Sequence, residues 1–179
     1  REMQPRDSHT LSVLLHSIGD LERISDHAVS VVKAAKEIYD KNLSFSEAAV
    51  SELEIFSAAV KEVVRITMEA MMTESVSLAR LVDPLEEVID DMVLLLKNRH
   101  TARLCDGICS INAGLIFMDM LTYFERTADQ CSNIALLLLG KNNEEIMKSQ
   151  HLYLQELHAS GNQDYLAEQE NRKKQYLGQ

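Results

Sequence analysis

Residues 110–140 read SINAGLIFMDMLTYFERTADQCSNIALLLLG. The stretch contains no proline and is apolar around almost its whole circumference when it is drawn as a helix. Its charged side chains are those of Asp119, Glu125, Arg126 and Asp129. Gly140 follows the last apolar residue, as is typical of a helix C-cap. The stretch therefore predicts a long helix over about 110–139 at the centre of a helical bundle.

The composition extends this prediction to the whole chain. Hydrophobic residues make up 46% and aromatic residues 5%, with two prolines and six glycines. This balance favours helices over strands and leaves few residues for turns. Apolar residues at helical spacing predict three more long helices, at about 8–40, 47–73 and 75–104. The fold class predicted is all-α, an antiparallel helical bundle followed by a polar tail with two short helices.

Details of the sequence mark the ends of these helices. Ser44 and Glu47 have the spacing of a capping box before the second helix. Pro84 predicts a kink or a fresh first turn within the third helix. The first helix carries an apolar stripe at helical spacing, formed by Leu11, Leu15, Ile18, Val29 and Val32.

Charge and motif content exclude several classes of function. The formal net charge is −10, which disfavours binding to nucleic acid or to anionic lipid. The three cysteines include no CxxC pair, so a zinc site built on thiolates or a disulfide framework is not expected, and a reducing compartment is. No apolar run is long enough to span a bilayer. Without a phosphate-binding glycine loop or a Ser/His/Asp arrangement, the sequence predicts a protein that is not an enzyme.

One short segment recurs along the chain. Leu21–His27 reads LERISDH, and 103 positions later Phe124–Gln130 reads FERTADQ. The glutamate, arginine and aspartate are identical, and both copies lie on predicted long helices. The echo indicates an internal repeat.

Each echo places two carboxylates one helical turn apart on the same face. In the last long helix Glu125 and Asp129 occupy core-type positions of the apolar pattern, and Glu22 and Asp26 do the same in the first. The third helix offers a further pair, Glu86 and Asp90, with the same spacing. Glu87 and Asp91 are rotated further round, and we expect them to face solvent.

Core-facing carboxylates need a partner, because an unpaired buried charge costs several kcal/mol. If the third and fourth long helices pack antiparallel, Glu86, Asp90, Glu125 and Asp129 converge into an all-oxygen cluster. Such a cluster suits Mg²⁺, Mn²⁺ or iron, and carboxylates also bind Zn²⁺. The alternative is an interhelical network of salt bridges formed with Arg23, Arg80 and Arg126.

The same residues carry a resemblance to a known family. The Glu-Arg-x-x-Asp segment resembles the signature of PhoU domains, which are three-helix repeats, and Leu85–Asp90 resembles the companion acidic motif of the preceding helix. The region from Arg99 to Arg126 and the end of the chain are similar to the PhoU-like tail of bacterial sodium/phosphate cotransporters. The resemblance implies about one and a half repeats, with an incomplete first repeat, a second at about 44–141, a bundle over 1–141 and a helical tail over 142–179.

The resemblance also implies sites and partners. Glu86, Asp90, Glu125 and Asp129 match positions at which PhoU proteins hold metal clusters, and Glu22 and Asp26 match the first-repeat positions, although the companion acids of that repeat are missing. The implied role is the cytoplasmic regulatory domain of a sodium-dependent phosphate symporter at the bacterial inner membrane. The expected partners are an upstream membrane-embedded transport domain, consistent with a chain that begins at Arg1, and further copies of the chain.

Three alternatives remain open from the sequence. A free-standing PhoU-type regulator would contact a phosphate transporter or a sensor kinase. A helical oligomerisation module would need no metal. A carboxylate-bridged di-metal oxidase would need Glu-x-x-His motifs on two helices, and none is placed here.

Overall fold

The structure, a computed structural model, describes residues 5–140, 150–159 and 161–178. Within these ranges the chain forms seven helices and no strand, which confirms the all-α fold class. The helices are α1 (Pro5–Asp40), α2 (Glu47–Thr73), α3 (Val76–Ala79), α4 (Val82–Cys105), α5 (Ile111–Gly140), α6 (Gln150–Ala159) and α7 (Gln163–Leu177). The predicted boundary at 141/142 lies outside the described residues.

The ends of two helices differ in detail from the prediction. The N-cap of α2 is Ser46, whose side chain accepts a hydrogen bond from the Ala49 backbone amide at 3.3 Å, so the capping box at Ser44 was wrong. Ser46 immediately precedes the first helical residue, where a hydroxyl reaches the free amides. The predicted third helix is divided into α3 and α4, and Pro84 lies in the first turn of α4, where its missing N–H leaves no helical hydrogen bond unmade.

The helix at the centre of the bundle is α5, which packs against α1, α2 and α4. Two edge-to-face aromatic pairs connect it to the rest of the bundle, Phe117 with Phe45 and Phe124 with Phe56, each with ring centroids 5.7 Å apart. Phe117, Leu121 and Ala128 of α5 are fully buried. The predicted central position of this helix is therefore confirmed.

The buried face of α1 is not the predicted one. All five residues of the predicted stripe are at least 45% exposed: Leu11, Leu15, Ile18, Val29 and Val32. Among the residues of α1 whose side chains the structure describes, the buried ones are instead Val13, Ser17, Asp20 and Ala34. The helix packs mainly on α5, which covers only one side of it, and the apolar stripe faces away. We call this exposed stripe the outer face of α1.

Close packing of α4 on α5 depends on one glycine. A Cβ atom at Gly114 would lie 2.8 Å from Nε2 of His100 and 3.0 Å from Cδ2 of Leu104. The His100 ring stacks on Phe117 with centroids 4.6 Å apart and is buried. A side chain at position 114 would therefore push α4 and α5 apart at this end of the bundle.

The C-terminal helix α7 packs on α4 and also touches α2. Tyr165 at its start is buried, and Tyr176 and Leu177 at its end pack against the core. Across the described parts of the chain, no helix combines the length and the apolar character needed to cross a bilayer.

Candidate metal centre

Two helices bring three carboxylates together. Glu86 and Asp90 lie one turn apart on α4, and Asp129 lies on the facing side of α5. One oxygen from each of the three lies within 4.8 Å of the others. Glu86 is the most buried of the three, Asp129 is half-buried and Asp90 is exposed. We call this group the acidic triad.

The electrostatics of the triad show that its charges are poorly compensated. Burial, reinforced by Asp90, Asp83 and Asp129, raises the pKa of Glu86 to about 9. Burial and the charges of Asp129 and Glu125 raise the pKa of Asp90 to about 6. Burial and Glu125 also raise the pKa of Asp129, and a hydrogen bond with Glu86 opposes that rise. A bound cation would therefore compete with protons for these carboxyl groups.

The fourth predicted ligand, Glu125, lies beside the triad rather than in it. Its Oε2 accepts a hydrogen bond from Nζ of Lys97 on α4 at 3.1 Å, and both side chains are about one-third exposed. Glu125 still contributes to the raised pKa of Asp90 and Asp129, so it lies within electrostatic range of both. Sequence spacing could not reveal Lys97 as its partner, because the two residues lie on different helices.

The first echo is placed differently from the second. Glu22 and Asp26 are both exposed on α1, so the core-type positions predicted for them were wrong. Neither belongs to the triad. His27, the next residue, lies on the side of α1 that faces α5. Its ring stacks with that of Tyr123, and the ring centroids are 6.4 Å apart. Burial and the charge of Arg126 lower the pKa of His27, while Asp129 acts in the opposite direction.

The predicted arginine network does not neutralise the triad. Arg23 pairs with Asp20 at 3.5 Å and donates to Oε1 of Gln130 at 3.3 Å. Arg126 is exposed, and its charge opposes the rise in the pKa of Asp129 without forming an ion pair with it. Arg80 lines a cavity on another side of the bundle. No arginine among the described residues forms an ion pair with a triad carboxylate. Three oxygen donors with raised pKa values and no arginine partner suit a hard divalent cation.

Sequence reasoning missed a second polar cluster, which is centred on Asp83. This buried carboxylate accepts hydrogen bonds from Ser132 of α5 at 3.3 Å and from the Tyr165 hydroxyl of α7 at 2.9 Å. The His158 ring of α6 lies 2.8 Å from the same carboxylate. The partners are separated from Asp83 by 49 to 82 positions, and no motif in the sequence joins them.

The segment that contains the triad is similar to known proteins. Residues 53–138 match the PhoU domain family. A phosphate-specific transport system accessory protein, PhoU homolog 1 from Thermotoga maritima, is 24% identical over 139 residues, which cover 75% of this chain and 59% of that relative. No solved structure gives a significant match.

The matched segment runs from α2 to α5 and includes all three triad carboxylates and Glu125. The chain spans only about three-fifths of the relative's length. The similarity to the PhoU domain family therefore covers the part of the bundle in which the triad lies.

Proposed function

We propose that this chain regulates phosphate transport through contacts with other proteins and that it holds a divalent cation at the acidic triad as a structural cofactor. One observation carries the proposal: a segment that matches the PhoU domain family brings the carboxylates of Glu86, Asp90 and Asp129 within 4.8 Å of one another, and no arginine of the described residues pairs with them. The name of the Thermotoga relative, an accessory protein of phosphate-specific transport, supports the process. The role is regulatory rather than catalytic.

A bound cation would supply the positive charge that the converging carboxylates need and would tie α4 to α5. Glu86, Asp90 and Asp129 would hold it directly, with Glu125 available at the edge if it leaves Lys97. Mn²⁺, Mg²⁺, iron and Zn²⁺ all accept carboxylate oxygens. In the first echo, Glu22 and Asp26 would need carboxylates from another helix to form an equivalent site.

We further propose that the chain acts at the cytoplasmic face of the bacterial inner membrane, attached to the transport domain of a sodium/phosphate cotransporter. The similarity of Arg99–Arg126 to the tail of these transporters supports this placement. A free-standing PhoU regulator fits the Thermotoga relative equally well. The size and membrane association of the native protein, detected by an antibody against this chain, would distinguish the two.

The apolar outer face of α1 supports the expected self-association. Leu15, Ile18 and Val32 are each more than half exposed on it. A metal-free oligomerisation module would use the same face, so the metal measurement decides between the two roles.

The test of the metal centre is elemental analysis of protein purified without a metal-affinity column. We expect stoichiometric metal in the wild type after reloading with Mn²⁺, Mg²⁺, Fe²⁺ or Zn²⁺, and at least a tenfold loss in Asp129→Asn. The matched control is Asp26→Asn, the equivalent substitution in the first echo, which should keep the metal. A wild type that binds no metal under any of these conditions would leave a protein-binding module and refute the metal centre.

A further inference from the structure

A row of acidic residues on α4 lies beside the triad and is in contact with the C-terminal helices. Asp83, Glu87 and Asp91 follow one another at intervals of four, so they form one line along the helix. We call this line the acidic ridge and call α6 and α7 together the strap. Of the two residues expected to face solvent, Asp91 is exposed as predicted, whereas Glu87 is half-buried next to the strap.

Each ridge carboxylate meets a donor or a cation of the strap. His158 lies between two of them, with Nε2 2.8 Å from Asp83 and Nδ1 3.6 Å from Glu87. Nζ of Lys173 lies 2.9 Å from Oδ2 of Asp91. The strap therefore meets the acidic ridge with one lysine, one histidine ring and one tyrosine hydroxyl.

A neighbouring ion pair continues the same pattern. Arg172 of α7 lies 3.8 Å from Glu62 of α2, and it is held in place by Glu168 at 2.7 Å. Charge complementarity of this kind selects basic partners over acidic ones.

The strap covers the bundle without filling the space beneath it. A cavity of about 570 Å³ remains between the strap and the ends of α4 and α5. Leu81, Leu136 and Leu139 line its bundle side, and Tyr153 and Leu154 line its strap side. An apolar side chain of a better-fitting helix could enter this cavity, because pockets of this size accept groups as large as drug-sized ligands.

The strap is also poor in apolar contacts of its own. Between Tyr165 and Tyr176, α7 has Leu166 exposed at 46% and otherwise mostly polar residues. A polar helix of 15 residues is marginal in water unless it packs on a partner. A segment with few buried apolar contacts has a low free energy of local unfolding. The strap should therefore detach from the bundle more easily than any helix of the core.

We propose that the acidic ridge and the cavity beside it form a docking surface for a basic amphipathic helix of a partner protein, which the strap occupies in the free chain. The partner helix would place cations against Asp83, Glu87 and Asp91 and an apolar side chain in the cavity. This inference rests on the proposed regulatory role for its biological meaning. It does not depend on metal at the triad, so a failed metal measurement would not contradict the docking surface, and a failed docking experiment would not contradict the metal centre.

The test measures binding to the ridge with the strap held and with the strap loosened. The probe is a fluorescent peptide that copies residues 161–178 except for Glu170→Lys, which gives it a net positive charge. Its binding is measured by fluorescence anisotropy. The strap in its own chain competes at an effective concentration of about 1 mM, so wild type should bind the peptide weakly. His158→Ala with Tyr165→Phe removes two anchors on Asp83 and should tighten peptide binding at least tenfold.

Two controls make the result specific to the ridge. Glu87→Lys with Asp91→Lys, added to the loosened variant, should abolish binding. Glu54→Lys with Asp119→Lys changes the net charge equally at exposed positions elsewhere on the bundle and should leave binding within threefold. Equal binding by wild type and loosened variant, or equal losses in the two charge-reversed variants, would overturn the proposal.

Two further measurements cover the remaining outcomes. Hydrogen exchange on the unmodified protein should show α7 amides exchanging at least a hundredfold faster than those of α5, and equal protection would overturn the proposal even if the variants misfold. Sedimentation of the loosened variant should show no new dimer. If the variant instead pairs with a second copy through its own strap, the occupant is that copy and the assignment to a basic partner helix is wrong.

Discussion

The two echo segments, Leu21–His27 on α1 and Phe124–Gln130 on α5, share a glutamate, an arginine and an aspartate but not an environment. Packing of α2 and α4 on α5 brings Asp129 to the triad and Lys97 to Glu125. On α1 the equivalent Asp26 and Glu22 are exposed. This motif therefore forms a candidate metal site only where neighbouring helices add further carboxylates to it.

The same offset relates the apolar residues around the two echoes. Leu121 of α5 is fully buried, whereas its equivalent on α1, Ile18, is 59% exposed. Ala128 and Ala135 are buried, whereas their equivalents Ser25 and Val32 are exposed. The outer face of α1 therefore corresponds to the face of α5 that is buried in the bundle.

The largest effect is expected from truncating these equivalent apolar residues. Leu121→Ala should lower the free energy of unfolding by about 2–5 kcal/mol, because it leaves a cavity in the core. Ile18→Ala should change it by about 0.5 kcal/mol or less, as at an exposed position. Urea titrations followed by circular dichroism measure both. A similar loss in the two variants would show that the outer face of α1 is covered in solution, which would remove the distinction between the echoes.

The next effect concerns the pH dependence of metal-free protein, kept so with a chelator. The folded pKa of Glu86, about 9, lies above its ordinary value of 4.5, so the native state binds more protons than the unfolded state between these values. Stability should therefore fall as pH rises from about 5 to 9, with a slope of up to ~1.4 kcal/mol per pH unit.

Two variants test whether this pH dependence arises at the acidic triad. Glu86→Gln should remove most of the fall above pH 6, leaving the part due to Asp90, whose pKa is raised to about 6. Asp26→Asn on α1 should leave the profile unchanged. Chemical denaturation at several pH values provides the measurement, and a flat wild-type profile would contradict the repulsion assigned to the triad.

The smallest effect is expected from the ion pair between Lys97 and Glu125, which distinguishes Glu125 from its equivalent Glu22 on α1. A double-mutant cycle between Lys97→Met and Glu125→Gln should give a coupling energy of about 0.5–1 kcal/mol, because both side chains are only partly buried. Coupling should shrink in 0.5 M salt. The same cycle between Lys97→Met and Glu22→Gln should give none. Equal coupling in both cycles would mean that the pairing seen at α5 is not specific.

Most of the secondary structure follows from the sequence. Helical periodicity placed three of the four long helices within about three residues of their observed ends, but it joined α3 and α4 into one helix, although Pro84 indicated the fresh first turn of α4. These features are local, because they depend on the spacing of apolar residues and on the loss of one backbone N–H at proline.

The candidate site was predictable only in part. Intervals of four placed Glu86 with Asp90, and the antiparallel packing of α4 on α5 added Asp129 as expected. Glu125, by contrast, forms an ion pair with Lys97 on another helix, and spacing along the sequence does not predict this pair. The Asp83 cluster was missed altogether, because its partners come from three other helices.

Composition and helical periodicity establish that this protein is all-helical, where most of its long helices lie and which acidic residues share a face. Long-range packing sets which of those faces is buried, since two motifs with the same glutamate, arginine and aspartate lie in opposite environments. Spacing fixes the direction of side chains around one helix axis, but burial depends on which neighbour covers that side. That neighbour is set by long-range packing, and it gives Asp129 and Asp26 their different surroundings.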